Sequence, residues 1–99
     1  MTLEVSPAFS FARANHVVRA SIQADPDNRS VEIIAESWDL YRSCEIALNG
    51  DRAPRVNIVE FRSLPPGAYE ITATLIGPGG RERAMVRLEV NVMSTGGSY

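Results

Sequence analysis

His16 is the only histidine and Cys44 the only cysteine in a chain of 99 residues, so the side chains most often used as base, nucleophile or soft metal ligand occur once each. A Ser-His-Asp relay or a structural zinc site needs several such groups converging on one point. His16, just ahead of a strand, is expected to be structural or simply exposed, and Cys44 to be a buried thiol that cannot form an internal disulfide. The run Asp25-Pro26-Asp27-Asn28 offers oxygens that calcium accepts if another segment adds ligands. The same residue types cap tight turns through local hydrogen bonds, and that is the expected role. Asn28-Arg29-Ser30 matches a glycosylation acceptor. Gly77 to Gly80 are rich in glycine but lie between two strand patterns, whereas a phosphate cradle is followed by a helix; a hairpin loop is expected. Arg81, Arg83 and Arg87 are expected on the outer face of the last strand, either receiving an acidic partner or forming a solvated face balanced by Glu70 and Glu89. No cofactor or metal is implied by any of these residues.

Binding chemistry is concentrated near Trp38. Strict alternation sets Ile34 and Trp38 on the face opposite Val31, Ile33 and Ala35, and Leu40 and Tyr41 follow in "WDLYR". Ile34, Trp38 and Tyr41 are therefore a candidate interaction surface, able to stack on sugar rings or to anchor a protein interface with few rotors to freeze. A bulge near Ser37 would instead turn Trp38 into the core. The buried placement is the expected one, with the exposed cluster as the alternative.

The elements that position these residues follow from composition and period. Apolar residues make up 44% and charged residues 22%, the balance of a globular chain, and 99 residues are enough for one core. The net charge of −2 lacks the basic excess that nucleic-acid binding requires. All ten basic residues are arginine, which points to GC-rich coding and a bacterial source. No apolar run approaches a membrane span, and no N-terminal signal segment is evident. The expected compartment is cytoplasmic if Met1 is the natural start, and extracellular or periplasmic if the chain is a domain of a larger protein.

Period-two alternation recurs throughout, with no sustained helical period. Strands are expected at "TLEVS" or "FSFA", then near 16–24, 30–38, 43–48, 55–62, 68–76 and 81–92. The inner set comprises Val18, Ala20, Ile22, Ala24, Val31, Ile33, Ala35, Cys44, Ile46, Leu48, Val59, Phe61 and Leu64, followed by Tyr69, Ile71, Ala73 and Leu75 and by Ala84, Val86, Leu88, Val90 and Val92. The last two strands form a hairpin about Gly77–Gly80. A four-residue loop there sets Ala73 opposite Ala84, Ile71 opposite Val86, Tyr69 opposite Leu88 and Glu70 opposite Arg87. The fold class expected is an all-β, antiparallel two-sheet sandwich of six to seven strands. It forms one domain over residues 1–93, with 94–99 as a flexible tail or linker.

In "SLPPGAYEI", Pro65 and Pro66 end one strand and Gly67 reverses the chain to deliver Tyr69 to the next. This segment, with "TATLIGPGGRERAMVRLEV" after it, resembles the tyrosine corner and final hairpin of immunoglobulin-like and fibronectin type III sandwiches. The resemblance implies that the Tyr69 ring packs inward and its hydroxyl bonds back to the connecting segment. It also implies a non-catalytic binding or spacer module, part of a larger envelope or secreted protein, whose partner is another protein or an adjacent domain. Two other readings stand beside it: a carbohydrate-binding accessory domain using Trp38 and Tyr41, and a homo-oligomer joined through an edge strand at "SCEIALNG".

Overall fold

The computed structural model describes residues 1–7, 9–13 and 15–94. Their backbone forms eight strands: β1 (Thr2–Ser6), β2 (Phe9–Phe11), β3 (His16–Ser21), β4 (Ser30–Glu36), β5 (Tyr41–Ala47), β6 (Val56–Phe61), β7 (Gly67–Ile76) and β8 (Glu82–Met93). They build a three-stranded sheet in the order β1-β3-β6 and a five-stranded sheet in the order β2-β8-β7-β4-β5. The all-β class and the two sheets are as expected, and one of the sheets curls as half a barrel. Two features depart from expectation. There are eight strands, because "TLEVS" and "FSFA" are both strands, one in each sheet; and β2 runs parallel to β8, so the pairing is not wholly antiparallel.

Alternation explains the shared core. The buried residues Leu3, Val18, Ala20, Val59 and Phe61 come from the small sheet, and Val31, Ile33, Ala35, Ile71, Ala73, Val90 and Val92 from the large one. Each large aliphatic side chain among them stabilises the fold by roughly 1.5–3 kcal/mol relative to an exposed position. Coverage thins at the sheet edges. Cys44 and Ile46 on β5 are only half-buried, as are Ala84, Val86 and Leu88 on β8. β5 ends the large sheet, and β2 flanks β8 only from Asn91 to Met93. His16 is fully buried on β3, and its Nε2 lies 2.9 Å from the Ser10 hydroxyl on β2, so it links the two sheets and takes no exposed role.

The segment before β7 ties the end of the sandwich. Leu64 is fully buried, Tyr69 is 1% exposed, and the Tyr69 hydroxyl donates to the Pro65 carbonyl at 2.7 Å. The inward ring and the back-bonded hydroxyl are those expected of the corner. Burial pushes the phenol above its usual pKa of 10.0.

The β7–β8 hairpin keeps the expected inner faces but slips by two residues. Ala73 faces Val86, Ile71 faces Leu88, Tyr69 faces Val90 and Glu70 faces Glu89, while Arg87 faces Thr72. The cause is local. A register irregularity lies at Leu75/Ile76, and the loop closes from the Gly77 amide to the Arg81 carbonyl with Gly79 and Gly80 at positive φ. A shift of two preserves which face each residue occupies, so the apolar pattern alone does not distinguish the two registers. The Arg87–Glu70 pair survives as a diagonal contact of 3.9 Å between exposed side chains. The proposed tail starts with Ser94, which is exposed; residues 95–99 lie outside the described residues.

Candidate functional site

The β4–β5 hairpin holds the three residues singled out from the sequence. Strand β4 stops at Glu36, and the Ser37 amide bonds to the Leu40 carbonyl at 2.8 Å, leaving Trp38 and Asp39 to make the turn. The Ser37 hydroxyl donates to the Asp39 carboxylate at 3.1 Å, a local bond of the kind that fixes such turns. Trp38 is not turned into the core by a bulge near Ser37, as was expected, because the strand ends before that bulge can form. It stands at the hairpin tip, 93% exposed, while Leu40 turns back against the core. Tyr41 is 57% exposed at the start of β5, opposite Glu36. Ile34 is half-buried on the same outer face, opposite Ser43 on one side and Thr72 on the other. Ile34 and Tyr41 are thus diagonal neighbours on one face, and Trp38 lies beyond the end of the ladder.

The outer face around them is acidic. Glu36 pairs with Glu70, and Glu70 with Glu89, giving three carboxylates at successive ladder positions across β4, β7 and β8. Glu32 and Glu45 form a third like-charged pair, between β4 and β5. Like charges directly opposite destabilise a sheet by a few tenths of a kcal/mol to about 1 kcal/mol each. Arg87, next to Glu70, offsets part of this.

The other candidates fall into structural roles. The Asp25 carboxylate accepts the Asp27 amide at 2.8 Å and a guanidinium nitrogen of Arg83 at 3.2 Å. The Asp27 amide first, and Arg83 second, hold the Asp25 carboxyl below its usual pKa of 3.8. Asn28 is buried; its side-chain oxygen accepts from Arg83 at 2.7 Å and its side-chain nitrogen donates to the Gln23 carbonyl at 3.1 Å. Asp25 and Asn28, two of the three residues that suggested calcium, are thus engaged by a guanidinium, and the Asp25–Asp27 bond is the local one expected of a turn. Burial of the Asn28 side chain also removes it from the surface a glycosylation acceptor requires.

Arg81, Arg83 and Arg87 do not make one patch. Arg83 turns to the Asp25–Asn28 segment along a cleft of about 280 Å³, Arg81 flanks the hairpin loop, and Arg87 alone lies beside the outer-face glutamates. The aliphatic part of Arg83 is what demands Gly77: a Cβ there would come within 2.7 Å of the Arg83 Cδ. Sequence reasoning passed over a second exposed apolar cluster. Phe9 and Phe11 on β2 lie beside Asn91 and Met93, with ring centroids 6.1 Å apart, and all three apolar side chains are exposed. The signal was the alternation in "FSF", which reads as a strand without saying which face is covered.

Neither the known protein families nor the curated proteins give a match to this chain. Among solved structures, it is similar to a family 76 glycoside hydrolase from a bovine Bacteroides thetaiotaomicron strain, with a TM-score of 0.65 and 18% identity. The match takes in 93% of this chain but only 20% of that one, so this chain corresponds in fold to about a fifth of the hydrolase.

Proposed function

We propose that the chain is a non-catalytic, immunoglobulin-like binding module of a larger protein, and that its contact surface is the β4–β5 hairpin. The exposure of Trp38 at the hairpin tip, with Tyr41 beside it, is the observation that carries this reading. A large aromatic held in water by a turn of fixed geometry is a typical interface anchor. The fold assignment is supported by strand order: β1-β3-β6 matches an A-B-E sheet and β8-β7-β4-β5 a G-F-C-C′ sheet. It is also supported by the tyrosine corner ahead of the penultimate strand. The non-catalytic reading draws on how the titratable groups are used. His16 is sealed between the sheets, Asp25 is committed to Arg83, and the glutamates are spread over an open face.

The partner favoured is a protein or a neighbouring domain. Carbohydrate is a second reading, favoured by an exposed indole able to stack on a sugar ring and by the fold likeness to part of a glycoside hydrolase. Titration of Trp38 emission with a panel of soluble polysaccharides separates the two. A saturable shift that disappears in Tyr41→Ala, with the fold intact, supports the sugar reading; a flat response across the panel supports a protein partner. Turnover of a polysaccharide in the same mixtures would contradict the non-catalytic reading.

A further inference from the structure

The module's ligand aside, the free edge of the large sheet has a specific geometry. In the β4–β5 ladder the Leu48 amide bonds to the Arg29 carbonyl and the Ser37 amide to the Leu40 carbonyl, while Ser30 faces Ala47. Hydrogen-bonded pairs alternate in an antiparallel ladder, so Arg42, Cys44 and Ile46 spend their backbone groups on β4. The N–H and C=O groups of Tyr41, Ser43, Glu45 and Ala47 therefore point away from the sheet. On the inner face, Cys44 and Ile46 are half-covered, and a cleft of about 500 Å³ opens between Arg42–Cys44 and the facing edge strand β6 at Val59–Phe61, with Arg62 just beyond it.

We propose that β5 is a self-pairing edge: two copies of the chain join antiparallel along it, about a two-fold axis at Cys44. The strand's midpoint, its charges and its half-covered inner face favour this occupant and register. Cys44 is the midpoint of Tyr41–Ala47, so symmetry about it uses the whole strand. Like every two-fold register along this strand, it puts the outward-pointing residues opposite one another as hydrogen-bonded pairs require, here Tyr41 against Ala47 and Ser43 against Glu45 of the second copy. It also avoids like charges, whereas centring on Glu45 would set two carboxylates face to face. On the inner face it brings the Arg42 stem over Ile46 of the second copy, and Cys44 against Cys44 of the second copy, covering the side chains that the single chain leaves half-exposed.

Sedimentation velocity of the full chain over a rising concentration series tests this. A dimer whose share grows with concentration is expected. Ser43→Glu, at an exposed position, sets two new like-charged pairs against Glu45 and weakens the dimer roughly tenfold; Ser43→Lys makes two opposite-charged pairs and tightens it by a similar factor. Glu45→Pro removes an amide that faces only the free edge, so the circular dichroism spectrum stays that of the wild type while the dimer is lost. In this register the two Cys44 Cα atoms lie about 4.5 Å apart, inside the range of about 4.4–6.8 Å that a disulfide spans. Diamide, which takes up the two protons and two electrons released by the thiols, then gives a covalent dimer with wild type and none with Cys44→Ser. A chain that stays monomeric at every concentration overturns the proposal and leaves the edge to a foreign strand. A dimer indifferent to Ser43→Glu, Ser43→Lys and Glu45→Pro overturns it equally, and a dimer that diamide does not cross-link overturns the register.

Discussion

Replacing Tyr69 by phenylalanine removes one oxygen atom and nothing else from the corner that anchors the start of β7. That oxygen sits on a side chain 1% exposed and donates at 2.7 Å to the Pro65 carbonyl, four residues back. A hydrogen bond of this kind contributes about 0.5–1.5 kcal/mol net. Pro65 is half-buried, so water can reach its carbonyl once the hydroxyl is gone, and the larger penalty for a sealed, unpaired acceptor does not apply. The expected cost is therefore about 1 kcal/mol, equivalent to a fall of about 4–8 °C in melting temperature for a chain of this size. Far-UV circular dichroism in urea is the assay of choice, because Trp38 is already in water in the native state and its emission reports unfolding poorly. The pH dependence adds a second check. Burial raises the Tyr69 phenol above 10.0, so its contribution is complete below pH 10.0 and is lost as pH rises through the folded-state value. The wild type should lose its advantage over Tyr69→Phe in that alkaline window. Equal midpoints for the two proteins at neutral pH would refute the reasoning, since a bonded, buried hydroxyl cannot be removed without cost.

Arg83→Ala strips a buried Asn28 oxygen of its donor and should cost about 1–3 kcal/mol in urea denaturation. Gly77→Ala should cost a similar amount alone by colliding with the Arg83 stem, but little in an Arg83→Ala background, and a double-mutant cycle reads that coupling. Glu36→Arg breaks the carboxylate row beside Glu70 and should stabilise by roughly 0.5 kcal/mol, an effect that fades as salt is raised. Asp25→Asn should flatten the acid side of the stability curve. The Asp25 carboxyl is held below 3.8, so its contribution is present above 3.8 and is lost as pH falls through the lowered value.

What was legible in the sequence was what local patterning decides. Period-two alternation marked the strands and most of the core, because a residue in a strand can face only two ways. The tyrosine corner was readable because two prolines, a glycine and a tyrosine act within a few residues of one another. Long-range pairing was less accessible. Nothing local says that β1 and β2 join different sheets or that β2 lies parallel to β8. The hairpin register turned on an irregularity at Leu75/Ile76 and on Gly79 and Gly80 at positive φ, which changed the loop without changing the faces. Among the candidate site residues, Ile34 lies on the outer face that alternation gave it, whereas Tyr41, expected in the loop after Trp38, is the first residue of β5. Trp38 was expected to turn inward on a bulge and stands outside instead, because the strand ends at Glu36, where the Ser37–Leu40 closure takes over. Arg83 looked like its neighbours Arg81 and Arg87 in sequence, and only the fold brings it to Asn28.

The proposed contact surface depends on a hairpin that presents Trp38 to solvent. Acrylamide quenching of this single tryptophan, at a concentration low enough to keep the chain monomeric, tests that claim most directly. Quenching close to that of free tryptophan, with Trp38→Ala leaving stability within about 0.5 kcal/mol of the wild type, is the result expected. Strong protection from acrylamide, with a large loss of stability in Trp38→Ala, would place the indole in the core and contradict the account.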